Sequence, residues 1–387
     1  MRHTRVTFAA LAATVALTAS AAAGGFARGN ADTDIIFEDG NFNMRAGVAV
    51  VSPTQRLNTN GFVASSGDIL PTYVIPTSAL SLNVGMATCA ATHTQPFGGS
   101  SDYSGTPLGT DTDALRTRSQ NFVTNELGLT CGLKYDMGKN RIWILGGGFY
   151  QTLDFTQIVT STAIPLGPAN LTLRDAGGGY RIGAAFERPE IALRAQVMYR
   201  SAVSVNAKGT FTSLSGPVLN PFATGAATFP QSVEVKLQSG VAPGTLVYGS
   251  VKWTDWKKFQ VLQYNATGTP ASLNFYWRDG WTVNLGVARQ FNEKLAGTVS
   301  VTWDRGVGTG HDLQGADVWT FAAGASVKPT KGFEIRGGLG LSVFGATAQN
   351  FTANPLGGVG AFVSTPGIKK ANAGYAIGGS VSGRIQF

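Results

Sequence analysis

The last fourteen residues, Gly374-Tyr375-Ala376-Ile377-Gly378-Gly379-Ser380-Val381-Ser382-Gly383-Arg384-Ile385-Gln386-Phe387, decide the fold. Tyr375, Ile377, Val381, Ile385 and Phe387 share one parity, while Ser380, Ser382, Arg384 and Gln386 share the other. Successive side chains of a strand point to opposite faces, so one face of this strand seeks hydrocarbon and the other water. Working back along the chain, the pattern repeats. Phe333, Ile335, Leu339, Leu341 and Val343 oppose Glu334, Arg336 and Ser342; Trp281, Val283, Leu285 and Val287 oppose Thr282, Asn284 and Gln290. Trp253, Trp281, Trp303, Trp319 and Tyr375 fall near strand ends on the apolar face, where an interfacial aromatic girdle belongs.

Fourteen such segments are expected between residues 42 and 387, among them 70 to 80 and 82 to 95. Short turns at Asp136–Lys139, Glu187–Glu190, Gly240–Pro243, Asn292-Glu293 and Pro329–Gly332 alternate with long connections, including 159 to 170 and 208 to 229. That rhythm is the signature of periplasmic turns and extracellular loops, and an even strand number puts both ends of the barrel on the short-turn side. The fold class is therefore all-β, a transmembrane antiparallel β-barrel of about 14 strands. Every strand must join one closed barrel, because an open edge in lipid leaves backbone groups unsatisfied.

Composition agrees. The chain has 51 Gly, 13% charged and 10% aromatic residues, too little charge for an ordinary soluble surface. Its 30 Lys and Arg against 22 Asp and Glu are scattered singly, which argues against a nucleic-acid partner and for lipid A phosphates or an anionic solute. Residues 1–23 read as a secretory signal: Arg2 and Arg5, an apolar run from Val6 to Leu17, then Ala19-Ser20-Ala21-Ala22-Ala23. The alternative, a membrane-anchoring helix, needs a longer apolar core. The expected location is the outer membrane of a Gram-negative bacterium, and the terminal Phe387 suits recognition by barrel-insertion machinery.

Three domains follow: the signal at 1–23, a hatch or plug segment at 24–41, and the barrel at 42–387. Phe26, Ile35, Ile36 and Phe37 favour insertion of the hatch into the lumen, since leaving such side chains in water forfeits ~1.5–3 kcal/mol each. Parity turns Arg45, Arg181, Arg194, Arg200 and Lys252 into the lumen, as candidates to attract a substrate carboxylate. The competing reading pairs the lumen cations with Glu126, Asp154, Glu234 and Glu334 as simple filling. Ile164 and Leu166 in one long loop, and Phe211, Leu214, Leu219 and Phe222 in another, form a candidate capture surface for an apolar molecule. The bland alternative folds these loops over the barrel mouth.

Cys131 shares the lipid face of its strand with Leu127, Leu129 and Leu133, whereas Cys89 falls with Asn83 on the polar face of the strand before it. Free thiols are expected. Neither His93 nor His311 has a nucleophile or metal-ligand neighbour, and the triglycine runs at 146–148 and 177–179 lack a phosphate-loop setting, so no enzyme, cofactor or metal site is read.

The stretch Phe229-Pro230-Gln231-Ser232-Val233, continuing through Val251-Lys252-Trp253-Thr254-Asp255-Trp256-Lys257-Lys258-Phe259, resembles the eighth and ninth strands of the FadL/TodX family of outer-membrane fatty-acid and hydrocarbon transporters. Arg278-Asp279-Gly280-Trp281-Thr282-Val283-Asn284 is similar to the next strand, and Pro76-Thr77-Ser78-Ala79-Leu80 to the second. The resemblance implies a fourteen-stranded barrel with an N-terminal hatch, hydrophobic capture by two long loops, and release through an opening in the wall. It departs from the family at Gly29-Asn30-Ala31-Asp32, where an Asn-Pro-Ala motif is usual, and its hatch is shorter. The expected function is passive passage of hydrophobic small molecules, long-chain fatty acids first, through a monomeric barrel. A general diffusion porin, a structural or adhesive barrel and a lipid hydrolase stand as alternatives.

Overall fold

A computed structural model describes residues 24–59, 68–104, 116–160, 167–259, 261–266, 270–310, 315–349 and 369–387. The signal reading at 1–23, Ile164, Leu166 and His311 lie outside them. The chain folds as a closed, antiparallel, fourteen-stranded barrel. Its strands are β1 (Phe42–Thr54), β2 (Tyr73–Val84), β3 (Ala87–Thr94, resuming as Gly98–Asp102), β4 (Arg116–Met137), β5 (Asn140–Thr160), β6 (Ala169–Arg188) and β7 (Leu193–Arg200 and Val203–Ser213). The circuit continues with β8 (Val218–Phe229 and Ser232–Ala242), β9 (Thr245–Thr254 and Val261–Asn265), β10 (Pro270–Asn274 and Gly280–Gln290), β11 (Leu295–Arg305), β12 (Val318–Thr330), β13 (Phe333–Phe344) and β14 (Gly374–Gln386). Pairing of β1 with β14, from Asn43 opposite Gln386 to Thr54 opposite Tyr375, closes the wall.

The alternating faces have their expected environments. Leu339, Leu341, Ile377 and Val381 point outward and are exposed, while Ser342, Ser382, Arg336 and Arg384 are buried inside. Trp253 opposes Trp281 and Trp303 opposes Trp319 across neighbouring strands, placing paired aromatics at one level of the outer surface. Gly85, Gly138, Gly244 and Gly332 all adopt positive φ in the tight turns at the end of the barrel shared with β1's start and β14's end.

Two expectations about connections change. Residues 208–229 are no loop: β7 and β8 pair from Val203 opposite Phe229 up to Thr212 opposite Val218, so only a short tip separates them. Gly, Thr and Ala dominate this stretch and mask the alternation, although Lys208 and Phe211 do alternate in exposure with Ala207 and Thr210. The turn between β2 and β3 falls at Gly85-Met86, several residues beyond the expected break at 81. That displacement flips the parity of β3.

The flip decides the cysteines. Asn83 faces inward on β2, but across the turn Thr88, Thr92 and Thr94 are the inward residues of β3 and Cys89 faces out. Cys89 is the register partner of Cys131, and the two form a disulfide bond. Free thiols are thus corrected, because a register slip moves every side chain of a strand to the other face. Asp154 is also reassigned: it faces outward, with Arg174 as its ion-pair partner at 2.9 Å.

Candidate functional site

Two layers fill the barrel interior, and the first is aromatic. Phe26, Phe97, Phe122, Phe229, Trp256, Phe259, Phe275 and Trp277 belong to one buried cluster. The Phe26 ring sits 4.8 Å from Phe122 and 4.7 Å from Trp277, so an N-terminal side chain forms its hub. The sequence builds this layer by breaking strands inward. Pro230 interrupts β8 and removes a backbone donor, and Trp256–Lys258 makes a 3-10 turn between the two halves of β9 that buries Trp256. Phe211, from the proposed capture set, is 2% exposed and belongs to the same apolar cluster. Phe222 is 82% exposed on the outer side of the β7–β8 hairpin, and Leu214 and Leu219 are exposed nearby, so the four do not form one surface.

The second layer is ionic and lies nearer the tight turns. Ile35 and Ile36 are fully buried against Ala79, Ala90, Trp143 and Leu145, and Phe37 packs edge-on to Trp143 at 5.3 Å. Around them the acids of residues 32–38 meet the lumen cations. Arg45 pairs with Asp32 at 2.6 Å and with Glu38; Lys236 pairs with Asp34 at 3.0 Å; Arg384 reaches Glu38 at 2.9 Å. Lys252 donates to Asn30 Oδ1 at 2.8 Å. Burial pushes the Asp34 carboxyl up, but Lys236 and Arg194 more than reverse it and hold it at about 2.

The remaining carboxylate-binding candidates are engaged with the wall. Glu126 is 1% exposed and accepts from Arg181 and, at 2.8 Å, from Arg200, which also donates to Gln151 at 2.6 Å. Arg200 also lies over the Phe97 and Phe149 rings. Arg194 lies over the Phe37 ring at 4.5 Å and donates to Gln238. These cations therefore fill and fasten the lumen. Asp32, Asp34 and Glu38 were the missed partners, since parity cannot be applied to a segment that is not a strand.

Between β2 and β3 the wall is incomplete. β3 pairs with β2 only from Val84 opposite Ala87 to Ser78 opposite His93, so Tyr73–Thr77 have β1 on one side and no strand on the other. Beyond Thr94 the chain turns inward. The Phe97 N–H donates to Thr124 Oγ1, whose hydroxyl donates back to the Phe97 carbonyl, both at 3.0 Å. Residues 26–29 pair with this inward stretch: Arg28 N–H donates to Pro96 O at 2.9 Å, Gly29 N–H to Gln95 O at 2.8 Å, and Gly98 N–H to Phe26 O at 2.9 Å. Asp102 N–H donates to Ile69 O at 2.9 Å and closes the gap above. The result is a bounded window in the wall. It contains a cavity of about 100 Å³ lined by Phe26, Arg28, Leu70, Pro71, Tyr73 and Phe344, among others. A larger cavity of about 210 Å³ lies in the lumen, with Asp34, Arg45, Lys236, Lys252 and Asp304 among its lining residues.

The sequence and the fold both match a known group of proteins. The family model described as outer membrane protein transport protein (OMPP1/FadL/TodX) covers residues 10–306. The chain belongs to this OMPP1/FadL/TodX family. A long-chain fatty acid transport protein of Salmonella typhi is 27% identical over 162 residues, and one of Escherichia coli K12 is 26% identical over 150. These matches span 34% and 31% of this chain, and 36% and 33% of those relatives. Among solved structures, a FadL homologue of Pseudomonas aeruginosa superposes with a TM-score of 0.71 at 13% identity, covering 91% of this chain and 92% of that one. The toluene transporter TodX of P. putida gives 0.63 at 14% identity over the same shares. Membership places the chain among outer membrane transport proteins.

Proposed function

We propose that the protein admits long-chain fatty acids passively across the outer membrane, after export directed by residues 1–23. The observation that carries this reading is the interior: an aromatic layer at the outer half of the lumen, with residues 24–41 fastened beneath it by ion pairs. A general diffusion pore needs a continuous polar path, and that arrangement removes it. An adhesive barrel has no use for a built window in its wall.

In the proposed sequence an amphipathic molecule partitions onto exposed apolar residues such as Phe222, enters the aromatic layer, and leaves sideways through the window between β2 and β3. Residues 26–29 hydrogen-bond to the inward stretch of β3, so displacing one displaces the other and couples the hatch to the window. On the outer surface beside the window, a groove of about 630 Å³ lined by Met44, Leu80, Leu127, Leu129 and Tyr150 offers an apolar continuation. Related solved structures that carry monoaromatic hydrocarbons make such neutral solutes the second reading, favoured here by the density of Phe and Trp rings.

The test is uptake of radiolabelled oleate by a Gram-negative host lacking its own fatty-acid transporter. Expression of the full chain is expected to restore oleate entry without admitting hydrophilic solutes. Oleate entry no greater than with an empty vector sinks the proposal, and toluene entry alone transfers it to the second reading.

A further inference from the structure

Arg28 differs from most of the interior cations, although Lys252, which donates to Asn30 Oδ1, also has no ion-pair carboxylate among the described residues. Arg45, Arg181, Arg200, Lys236, Arg336 and Arg384 each have a carboxylate within ion-pair distance, Arg181 and Arg200 sharing Glu126. Among the described residues no carboxylate faces Arg28 within ion-pair distance, and its buried Nε has no hydrogen-bond partner. The guanidinium is closely confined. It lies 4.2 Å from the centroid of the Tyr73 ring and packs against Gly98, where a Cβ would come within 2.6 Å of Cζ and both Nε and Nη1. Tyr73 is on the β2 edge of the window and Gly98 on the β3 edge, so Arg28 bridges the opening.

The cavity at this point is apolar around a single charge. Phe26, Pro53, Leu70, Pro71, Val318 and Phe344 contribute to its lining, and no acidic residue does. A fixed, planar, uncompensated guanidinium beside apolar walls is complementary to a carboxylate carried on a hydrocarbon tail.

We infer that the window is an anionic-amphiphile site in which Arg28 binds the substrate carboxylate, selecting fatty acids over neutral hydrocarbons. This rests on the hydrophobic-channel reading and sharpens its substrate class. A charge-assisted hydrogen bond contributes about 1.5–3 kcal/mol, which is roughly a 10- to 100-fold change in affinity.

The experiment is equilibrium binding of radiolabelled oleate and of oleyl alcohol, which has the same tail without the charge, to the purified full-length protein in detergent. Arg28→Gln is expected to weaken oleate at least about tenfold, leaving oleyl alcohol nearly unaffected, and Arg28→Lys to recover part of the loss. Heat-modifiable migration on a gel verifies that each variant is a folded barrel. Should Arg28→Gln leave oleate binding intact, or weaken both ligands equally, the site assignment fails. Wild-type protein that binds oleyl alcohol but not oleate overturns the assignment while sparing the hydrophobic channel; wild-type protein that binds neither overturns both.

Discussion

At the scale of single residues, charge placement governs this barrel. Lys236 and Asp34 meet inside the lumen from a wall strand and the hatch, 202 positions apart in sequence. The unfolded carboxyl titrates near ~3.9, and in the fold it is held at about 2. A carboxyl depressed by folding contributes stability above its unfolded value and loses it as pH falls through the folded one. The fastening by Asp34 is therefore complete above about pH 4 and disappears as pH drops toward 2. Asp34→Asn is expected to abolish that component, so a pH titration of hatch protection, followed by amide hydrogen exchange over residues 32–38, should become flatter between pH 4 and 2. An unchanged titration would remove Asp34 from the fastening.

At the scale of elements, β3 combines two opposed features. Its first half is tied to β4 by the Cys89–Cys131 disulfide, and its second half departs from β2 toward the lumen. The bond confines the departure to the β2 side, because β3 cannot peel from β4 at that level. Maleimide labelling of denatured protein should add nothing without reductant and two adducts with it. The Cys89→Ser, Cys131→Ser pair should cost about 2–4 kcal/mol in urea unfolding from detergent; labelling of both thiols before reduction would show the bond absent. The same element explains why its cysteines were misread. Asn83 and Cys89 differ by an even number of positions, which gives one face only if no turn intervenes, and Gly85-Met86 intervenes.

For the whole molecule, the decisive question is what the hatch excludes. Ile35, Ile36 and Phe37 fill the lower lumen, and Phe26 fills the aromatic layer above. Deleting residues 24–41 removes the hatch side chains of the lower layer and takes Phe26 out of the aromatic layer, so planar-bilayer conductance should rise above its low basal value. Equal conductance of the intact and deleted proteins would return the molecule to the class of general porins.

The barrel was legible in the sequence because its cause is local. Alternation along each strand states which side meets lipid, and the short turns state where strands reverse, so Gly374–Phe387 already contains the rule that the wall obeys. The parity of Arg45, Arg181, Arg194 and Arg200 was legible for the same reason. Their partners were not, since pairing Glu126 with Arg181 and Arg200, or Asp32 with Arg45, depends on barrel closure and on the path of a segment with no period. The window belongs to that second category. Pro96 in Thr94-Gln95-Pro96-Phe97 announces a break in the strand but not its inward direction, which is settled by Thr124 and Phe26 reaching the same backbone from distant parts of the chain. The sequence by itself determined a membrane wall with two faces, while tertiary structure decided where that wall opens and which lumen cations meet a carboxylate.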